Sequence, residues 1–339
     1  MIKEAIAKVV TGTDLDENEM VAVMDEIMSG ECTQAQIGSF ITGLRMKGET
    51  IDEIVGAAKV MCDKASRVEV KVAGEVLVDT CGTGGDGSGT FNVSTASAFV
   101  VAGAGIPVAK HGNRSVSSHC GSADVLEALG VDLALTPEEV GECISRIGIG
   151  FMFAPVMHAA MKHAIGPRRE IGIRTVFNIL GPLTNPAGAN VQVMGVFDPG
   201  LTEKLAAVLG RLGARRALVV CGEGNMDEIT ITGSTRVSEW LDGSVRNYTV
   251  TPEEVGLSRA TVADIKGEEN AADAAAHIRR IVGGEEGPCL DMVLMNAGAA
   301  IMAAGRSADL KSGITLARQT VLSGAALARM DALITFGKS

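Results

Sequence analysis

The chain has 339 residues, enough for two domains or for one large domain with a smaller appendage. With 30 basic and 41 acidic side chains its net charge is −11, so its overall field repels polyanions and argues against a nucleic-acid partner. The N-terminal MIKEAIAKVV lacks a signal-peptide pattern, and no stretch reaches the roughly 18 consecutive apolar residues of a membrane span. We therefore expect a cytoplasmic protein without a membrane partner, in which a phosphorylated substrate needs a local basic site.

The seven cysteines give no sign of a disulfide framework or of a zinc site. Their number is odd, and they are scattered through the chain without a Cys-x-x-Cys pair. We expect reduced thiols.

The first sixty-odd residues are predicted to be helical. Thr33 is followed by Gln36, and Thr50 by Glu53, at the three-residue spacing of a capping box. The segments MVAVMDEIM and IDEIVGAAKVM carry apolar residues at helical spacing. This pattern predicts a small helical domain whose apolar faces serve core packing or a dimer interface.

From about residue 75 the pattern changes to short apolar runs that alternate with helical stretches. The runs are VLVDT, GIPVAK, VQVMGVF and RALVVCGE. Helices are predicted to start at Thr136 and Thr251, because each threonine precedes Pro-Glu-Glu. The alternation predicts an α/β domain with a mainly parallel central sheet flanked by helices.

A glycine-rich segment, VDTCGTGGDG at residues 78–87, follows the first predicted strand. Glycines let backbone N–H groups converge on an anion, so we expect a phosphate or pyrophosphate there. The segment also matches G-x-G-x-x-G, but Lys110 and His111 stand where a dinucleotide fold needs an acid, and no Walker Gly-Lys-Ser/Thr follows. A purely structural turn remains the alternative.

A second polar loop, KHGNRSVSS at residues 110–118, supplies two cations, an amide and hydroxyls after a short strand. Such a set suits a phosphate ester, although an exposed basic loop is the alternative. Two phosphate-binding loops at strand ends point to a substrate with two separated phosphate groups, as in phosphoribosyl pyrophosphate (PRPP). Asp227 and Glu228 offer carboxylates for Mg²⁺, or form a solvated surface, and Ser94 either joins the metal or caps a helix.

Prolines and glycines repeatedly interrupt the segment 154–182. This composition suits a pocket wall, and Arg168 or Arg169 could pair with a substrate carboxylate. His158 and His163 are better explained by packing or surface exposure than by catalysis.

Taken together, five motifs resemble the anthranilate phosphoribosyltransferase family over nearly the whole chain, in that family's order. They are DTCGTGGDGSGTFNVSTASA, KHGNRSVSSHCGSADVLEALG, FAPVMHAAMKHAIGPRREIGIRTVFNILGPLTNPA, GEGNMDEIT and LMNAGAA. The resemblance implies a helical domain at 1–70 with an inserted piece near 170–187, an α/β domain at 71–339, and substrates bound near the hinge. It further implies a homodimer through the N-terminal helices and the second step of tryptophan biosynthesis from chorismate.

The resemblance also assigns site residues. For PRPP it implies Gly82, Thr83, Gly84, Gly85, Asp86, Thr90, Asn92, Ser94, Thr95, Lys110, Gly112, Asn113, Ser117 and Ser118. For anthranilate it implies Gly82, His111, Asn113, His158, Arg168 and Gly181, with the carboxylate on Arg168. For Mg²⁺, expected as two ions bound with PRPP, it implies Ser94, Asp227 and Glu228.

Displacement of pyrophosphate builds negative charge on the leaving group, and the aromatic amine of anthranilate already has a free lone pair. We therefore expect no covalent nucleophile, but catalysis by orientation and electrostatics through Lys110, His111 and Arg168. A related nucleoside phosphorylase and a nucleic-acid-binding relative remain the alternatives. The sequence leaves open whether a glutamine amidotransferase partner binds.

Overall fold

The computed structural model describes residues 1–71, 74, 76–114 and 120–338. It divides into two compact units. Unit 1 comprises Met1–Arg67 and Pro155–Pro186, and unit 2 comprises Val68–Ala154 and Ala187–Ser339. The second segment of unit 1 begins earlier in the chain than the inserted piece near 170–187 that the resemblance implied.

The elements have the following bounds. The helices are α1 (Ile2–Val10), α2 (Glu17–Met28), α3 (Gln34–Lys47), α4 (Ile51–Asp63), α5 (Val93–Gly103), α6 (Ser122–Leu129), α7 (Pro137–Ile147), α8 (Ala154–Met157), α9 (Lys162–Ile171), α10 (Phe177–Leu183), α11 (Thr202–Arg211), α12 (Ala271–Val282), α13 (Pro288–Ala303), α14 (Leu310–Leu322) and α15 (Ala325–Thr335). The strands are β1 (Val78–Gly82), β2 (Val108–Gly112), β3 (Ile149–Phe153), β4 (Val191–Gly195), β5 (Arg216–Gly222), β6 (Thr235–Leu241) and β7 (Ser244–Val250).

Unit 1 is built from helices, in which α1 packs on α3, α2 on α4, and α9 on α3. The predicted capping boxes at Thr33 and Thr50 are confirmed: each hydroxyl accepts the N–H of the third following residue. A buried ion pair ties the unit together, because Glu53 is fully buried and accepts Lys47 Nζ at 2.9 Å and the N–H of Leu15 at 2.9 Å. The sequence pattern of helix starts and apolar faces therefore predicted the helical character of the N-terminal segment correctly.

Unit 2 contains a seven-stranded sheet in the order β3-β2-β1-β4-β5-β6-β7. The first five strands of this order, β3, β2, β1, β4 and β5, pair in parallel. Strand β6 is antiparallel to β5, and β7 is antiparallel to β6. Helix α5 packs against β1 and β2, α13 against β4 and β5, and α11 against β5 and β6. The predicted fold class, a helical N-terminal part followed by an α/β part with a mainly parallel sheet, is confirmed.

The strand order reverses between β1 and β4. The chain builds outward from β1 to β3, then returns to place β4 on the other side of β1. In open α/β sheets the crevice at the carboxyl ends of two such strands is the usual ligand site. The loops that follow β1 and β4 are therefore where a functional site is expected.

One predicted helix start is met and one is not. Thr136 caps α7 with Pro137 at its first position and a reciprocal bond to Glu139. After Thr251, however, the chain forms only a short 3₁₀ turn at Glu253–Val255, which ends at Gly256 with a φ of 82°. The left-handed glycine stops the helix after one turn, although the starting signal is the same.

In the described part of the chain, no helix combines the length and apolarity needed to cross a bilayer.

Candidate active site

The glycine loop runs from the end of β1 to the start of α5. Gly84 and Gly85 have φ values of 67° and 73°, in the left-handed region that side chains resist. At its far end the loop is anchored by a bridge between Thr90 and Lys266, beside Gly267, where an added Cβ would lie 2.7 Å from the Thr90 carbonyl oxygen. Glycines thus set the backbone conformation of the predicted anion loop, and a glycine outside the loop allows the chain to pack closely against it.

Two glycines at the switch point make room for Asp227. Gly82 and Gly195 are register partners at the carboxyl ends of β1 and β4. A Cβ on Gly195 would lie 1.6 Å from the Asp227 carbonyl oxygen, and one on Gly82 would lie 2.5 Å from Asp227 Oδ2. The Asp227 segment therefore crosses the ends of both strands, and Gly195 is a residue to which the sequence argument assigned no role.

Three carboxylates converge near the start of α5. Asp227 Oδ2 accepts the Gly84 N–H at 2.7 Å, and the Asp227 N–H donates to Asp86 Oδ2 at 3.3 Å. Glu228 Oε1 accepts the Ser94 N–H at 3.0 Å. The structure thus brings the predicted metal residues together with the predicted pyrophosphate loop.

The electrostatics of this cluster show an excess of negative charge. Burial, followed by the nearby charge of Asp86, raises the pKa of Asp227 to about 7. Burial and the charge of Asp227 raise the pKa of Glu228 well above its usual value, and the Lys110 cation opposes that rise. A bound cation would relieve this repulsion.

These residues fit an open magnesium site. Within the residues that the structure describes, no three His, Cys, Asp or Glu side chains are grouped so that they could hold a metal by themselves. Mg²⁺ is usually held by one or two carboxylates together with waters and substrate phosphates, so such a cage is not required. Asp227, Glu228 and the Ser94 hydroxyl suit this incomplete kind of site.

Lys110 lies buried beneath the start of α5. Its Nζ donates to the Thr80 carbonyl oxygen at 2.6 Å and lies 3.4 Å from Ser94 Oγ. Burial lowers the pKa of Lys110, and the charge of Asp79 is the main opposing effect. Asp79 itself is fully buried and accepts the His111 N–H at 3.2 Å. The sequence argument assigned Asp79 no role, although an acid at the end of the apolar run VLVDT was a visible signal.

The second polar loop is only partly as expected. Ser117 and Ser118 lie outside the described residues. Arg114, counted in the sequence as a cation for phosphate, is instead engaged by Asp124 and Glu127 of α6, each at 2.8 Å. Because these carboxylates already neutralise its guanidinium, Lys110 is the cation of this loop that the structure places beside the carboxylate cluster.

Several predicted PRPP residues differ in how their polar groups are used. The hydroxyls of Thr83 and Thr95 are buried and have no hydrogen-bond partner among the described residues. Thr90 shares a bond with Ser88 at 3.2 Å, and Asn92 Nδ2 donates to the Cys120 carbonyl oxygen at 3.1 Å. Thr83 and Thr95 therefore carry buried hydroxyls whose hydrogen-bonding capacity is not used by the described residues.

The other predicted anthranilate residues lie in unit 1. Arg168, in α9, is half-buried with its guanidinium 5.4 Å from the centre of the Phe177 ring. Burial lowers its pKa, and no described carboxylate forms an ion pair with it. Arg169, the residue after Arg168, is exposed. Burial also lowers the pKa of His158, to about 4. At Gly181 an added Cβ would meet nothing within 4 Å.

Comparison with known proteins agrees with this architecture. Residues 3–65 match the model of the helical bundle domain of a glycosyl transferase family, and residues 74–327 match its a/b domain. An anthranilate phosphoribosyltransferase of Desulfotalea psychrophila is 60% identical over 336 residues, covering 99% of this chain and 97% of that protein.

Solved structures agree as well. The crystal structure of the Thermus thermophilus anthranilate phosphoribosyltransferase matches with a TM-score of 0.93 at 46% identity, covering 99% of each chain. The Saccharomyces cerevisiae enzyme in complex with PRPP and Mg matches with a TM-score of 0.87 at 27% identity, covering 98% of this chain and 96% of that one. With both domains matched and close relatives aligned from end to end, the chain belongs to the anthranilate phosphoribosyltransferase family.

Proposed function

We infer that this chain transfers the 5-phosphoribosyl group of PRPP to the amine of anthranilate, giving N-(5-phosphoribosyl)anthranilate and pyrophosphate. This is the second step of tryptophan biosynthesis from chorismate. The observation that carries the inference is 60% identity to a relative of that activity across 99% of the chain. Nucleoside phosphorolysis and nucleic-acid binding are not favoured, because neither is the activity of these relatives.

Binding of PRPP is assigned to unit 2. The glycine loop and the hydroxyls of Thr83 and Thr95 supply donors at the switch point, where no described group satisfies those hydroxyls. Lys110 contributes a buried positive charge that water does not screen fully. The remaining PRPP residues implied by the resemblance are part of this proposal.

Departure of pyrophosphate needs stabilisation of developing negative charge. Mg²⁺, proposed as two ions, supplies that neutralisation when bound. Asp227, Glu228 and Ser94 are the residues proposed to hold it, because the repulsion between the two carboxylates and their raised pKa values favour a cation. The chain's own part is to keep these groups in place so that no reorganisation is needed during the reaction.

Recognition of anthranilate is assigned to Arg168. A half-buried guanidinium without a carboxylate partner among the described residues is well suited to a substrate carboxylate, which it can bind through two parallel hydrogen bonds. His158 is neutral at pH 7, because its pKa lies at about 4, so it adds a polar surface without a charge. Gly82, His111, Asn113 and Gly181 complete the proposed set, and none of these residues acts as a covalent nucleophile.

We further propose a cytoplasmic homodimer that associates through the N-terminal helices. The support is the set of exposed apolar side chains that unit 1 carries on these helices, including Val10 in α1 and Met46 in α3.

The test is a coupled measurement on purified protein. Anthranilate consumption and pyrophosphate release are followed together with PRPP, in the presence and absence of Mg²⁺. Equal molar amounts of both, dependent on Mg²⁺, are expected. PRPP binding without loss of anthranilate would reassign the acceptor to another amine or nucleobase and contradict the proposed function.

A further inference from the structure

Asn296 is a buried polar residue within the apolar helix α13, and it contacts the segment that carries the metal carboxylates. Its side-chain Oδ1 accepts the Ile229 N–H at 3.0 Å, and its Nδ2 donates to the Ile229 carbonyl oxygen at 2.8 Å. Nδ2 also donates to the Met292 carbonyl oxygen, one turn earlier in α13, at 2.9 Å. We propose that Asn296 is a positioning residue that fixes Asp227 and Glu228 for metal and PRPP binding.

The amide is chemically matched to this task. A primary amide has two N–H donors and a carbonyl acceptor, and here both of its donors and its acceptor are used. The bond to Met292 fixes the side-chain orientation, while the other two hold both polar groups of Ile229. The Ile229 N–H belongs to the peptide unit that includes the Glu228 carbonyl, so the clamp restrains the backbone directly at Glu228.

The same segment is held on its other sides by backbone contacts. Gly222 and Met226 exchange hydrogen bonds of 2.8 and 3.2 Å, and a Cβ on Gly222 would lie 2.8 Å from the Glu228 carbonyl oxygen. The side chains of Met226 and Ile229 are only 2% and 1% exposed, so the two carboxylates lie between buried anchors. Asn296 is the part of this support that a substitution can remove without adding atoms.

Removing the clamp leaves the two polar groups of Ile229 buried and without a partner. The segment can satisfy them only by moving, and movement displaces Glu228, whose carboxylate meets the Ser94 N–H at 3.0 Å. A displacement of about 1 Å is enough to impair a positioned site severely. A residue with a merely structural role would lower stability without changing metal-dependent binding, which separates the two roles.

The experiment measures equilibrium binding of PRPP by calorimetry at a series of Mg²⁺ concentrations, without anthranilate, alongside the melting temperature and steady-state kinetics. For Asn296→Leu we expect Mg²⁺-dependent PRPP binding to weaken about tenfold or more, the equivalent of one or two net hydrogen bonds. The KM for anthranilate should stay within about twofold of the parental value, because the substitution does not change the contacts proposed to bind anthranilate.

Leu294→Ala is the matched control, because Leu294 is fully buried in the same helix. It should lower the melting temperature by at least as much as Asn296→Leu while PRPP binding stays within about twofold. Asn296→Asp keeps the acceptor for the Ile229 N–H and, when protonated, one donor, so it should recover part of the lost binding. If Asn296→Leu does not fold, Asn296→Asp decides, with an expected weakening of about threefold or more.

The positioning role would be overturned if Asn296→Leu bound PRPP as tightly as the parent and only its melting temperature were lower. Where Asn296→Leu does not fold, the role would be overturned if Asn296→Asp bound PRPP as tightly as the parent. The inference rests on the proposed metal role of Asp227 and Glu228. The double variant Asp227→Asn with Glu228→Gln is therefore measured in parallel. If that variant keeps the parental Mg²⁺ dependence, the metal assignment itself has failed; if it loses the dependence while Asn296→Leu retains it, only the positioning role has failed.

Discussion

Gly195→Ala tests whether the close approach at the switch point sets the catalytic geometry. The added methyl carbon would lie 1.6 Å from the Asp227 carbonyl oxygen, whereas ordinary contact begins at 3.4 Å, so the Asp227 backbone must retreat by about 1.8 Å. Overpacking of this kind costs about 1–3 kcal/mol of unfolding free energy. A shift of more than 1 Å in Asp227, a proposed metal ligand, is expected to lower kcat/KM for PRPP by about 100-fold or more.

The control for this substitution is Gly210→Ala. Its added methyl would lie 2.1 Å from the Trp240 ring, so it introduces a clash of comparable severity away from the carboxylates. Both variants are measured by urea unfolding and by kinetics over a range of Mg²⁺ concentrations. Both should lose stability, but only Gly195→Ala should need more Mg²⁺ for half-maximal rate. Parental Mg²⁺ dependence in a folded Gly195→Ala protein would refute the reasoning.

Three further predictions follow from other parts of the molecule. Arg168→Ala should raise the KM for anthranilate about tenfold or more and leave the KM for PRPP nearly unchanged, whereas Arg169→Ala, at an exposed neighbour, should change neither; equal weakening of both substrates by Arg168→Ala would contradict the assignment. Glu53→Ala should lower the free energy of unfolding, measured by urea denaturation, by about 3 kcal/mol, because Lys47 then keeps only Asp14 as an ion-pair partner. A loss of stability no larger than that from breaking an exposed ion pair would show that Asp14 alone compensates the Lys47 charge. The pKa of His158 falls from 6.5 to about 4 on folding, so burial of the neutral imidazole contributes fully to the free energy of unfolding above pH 6.5, and this contribution is lost as the pH falls toward 4. Between pH 7 and pH 5 the free energy of unfolding of the parent should fall by about 2 kcal/mol more than that of His158→Gln. Equal falls in the two proteins would exclude a buried neutral imidazole.

Local sequence patterns predicted the elements that depend on neighbours in the chain. The capping boxes, the alternating strands and helices, and the glycine loop are all set by residues within a few positions of one another. Thr251 shows the limit of such signals, because the turn that follows it is capped by Pro252 without a side-chain hydrogen bond and ends at Gly256. The helical and α/β parts could therefore be predicted, with uncertain boundaries.

The parts of the site that escaped prediction depend on distant pairs. The approach of Gly195 to Asp227 follows from strand register, which no local pattern encodes. Arg114 was expected to face phosphate because the sequence cannot show that α6 places Asp124 and Glu127 beside it. Asn296 was visible as a lone amide in the apolar run VLMNAGAA, but only the fold reveals that it faces Ile229.

Gly84 donates its N–H to Asp227 Oδ2 at 2.7 Å, so the proposed anion and the proposed cation would each compete with this hydrogen bond. A phosphate oxygen that accepted the Gly84 N–H would release the carboxylate of Asp227, and a cation that took the carboxylate would release the N–H. Each binding event would then remove a competitor for the other, so we expect a favourable coupling free energy between PRPP and Mg²⁺ that is equal in both directions.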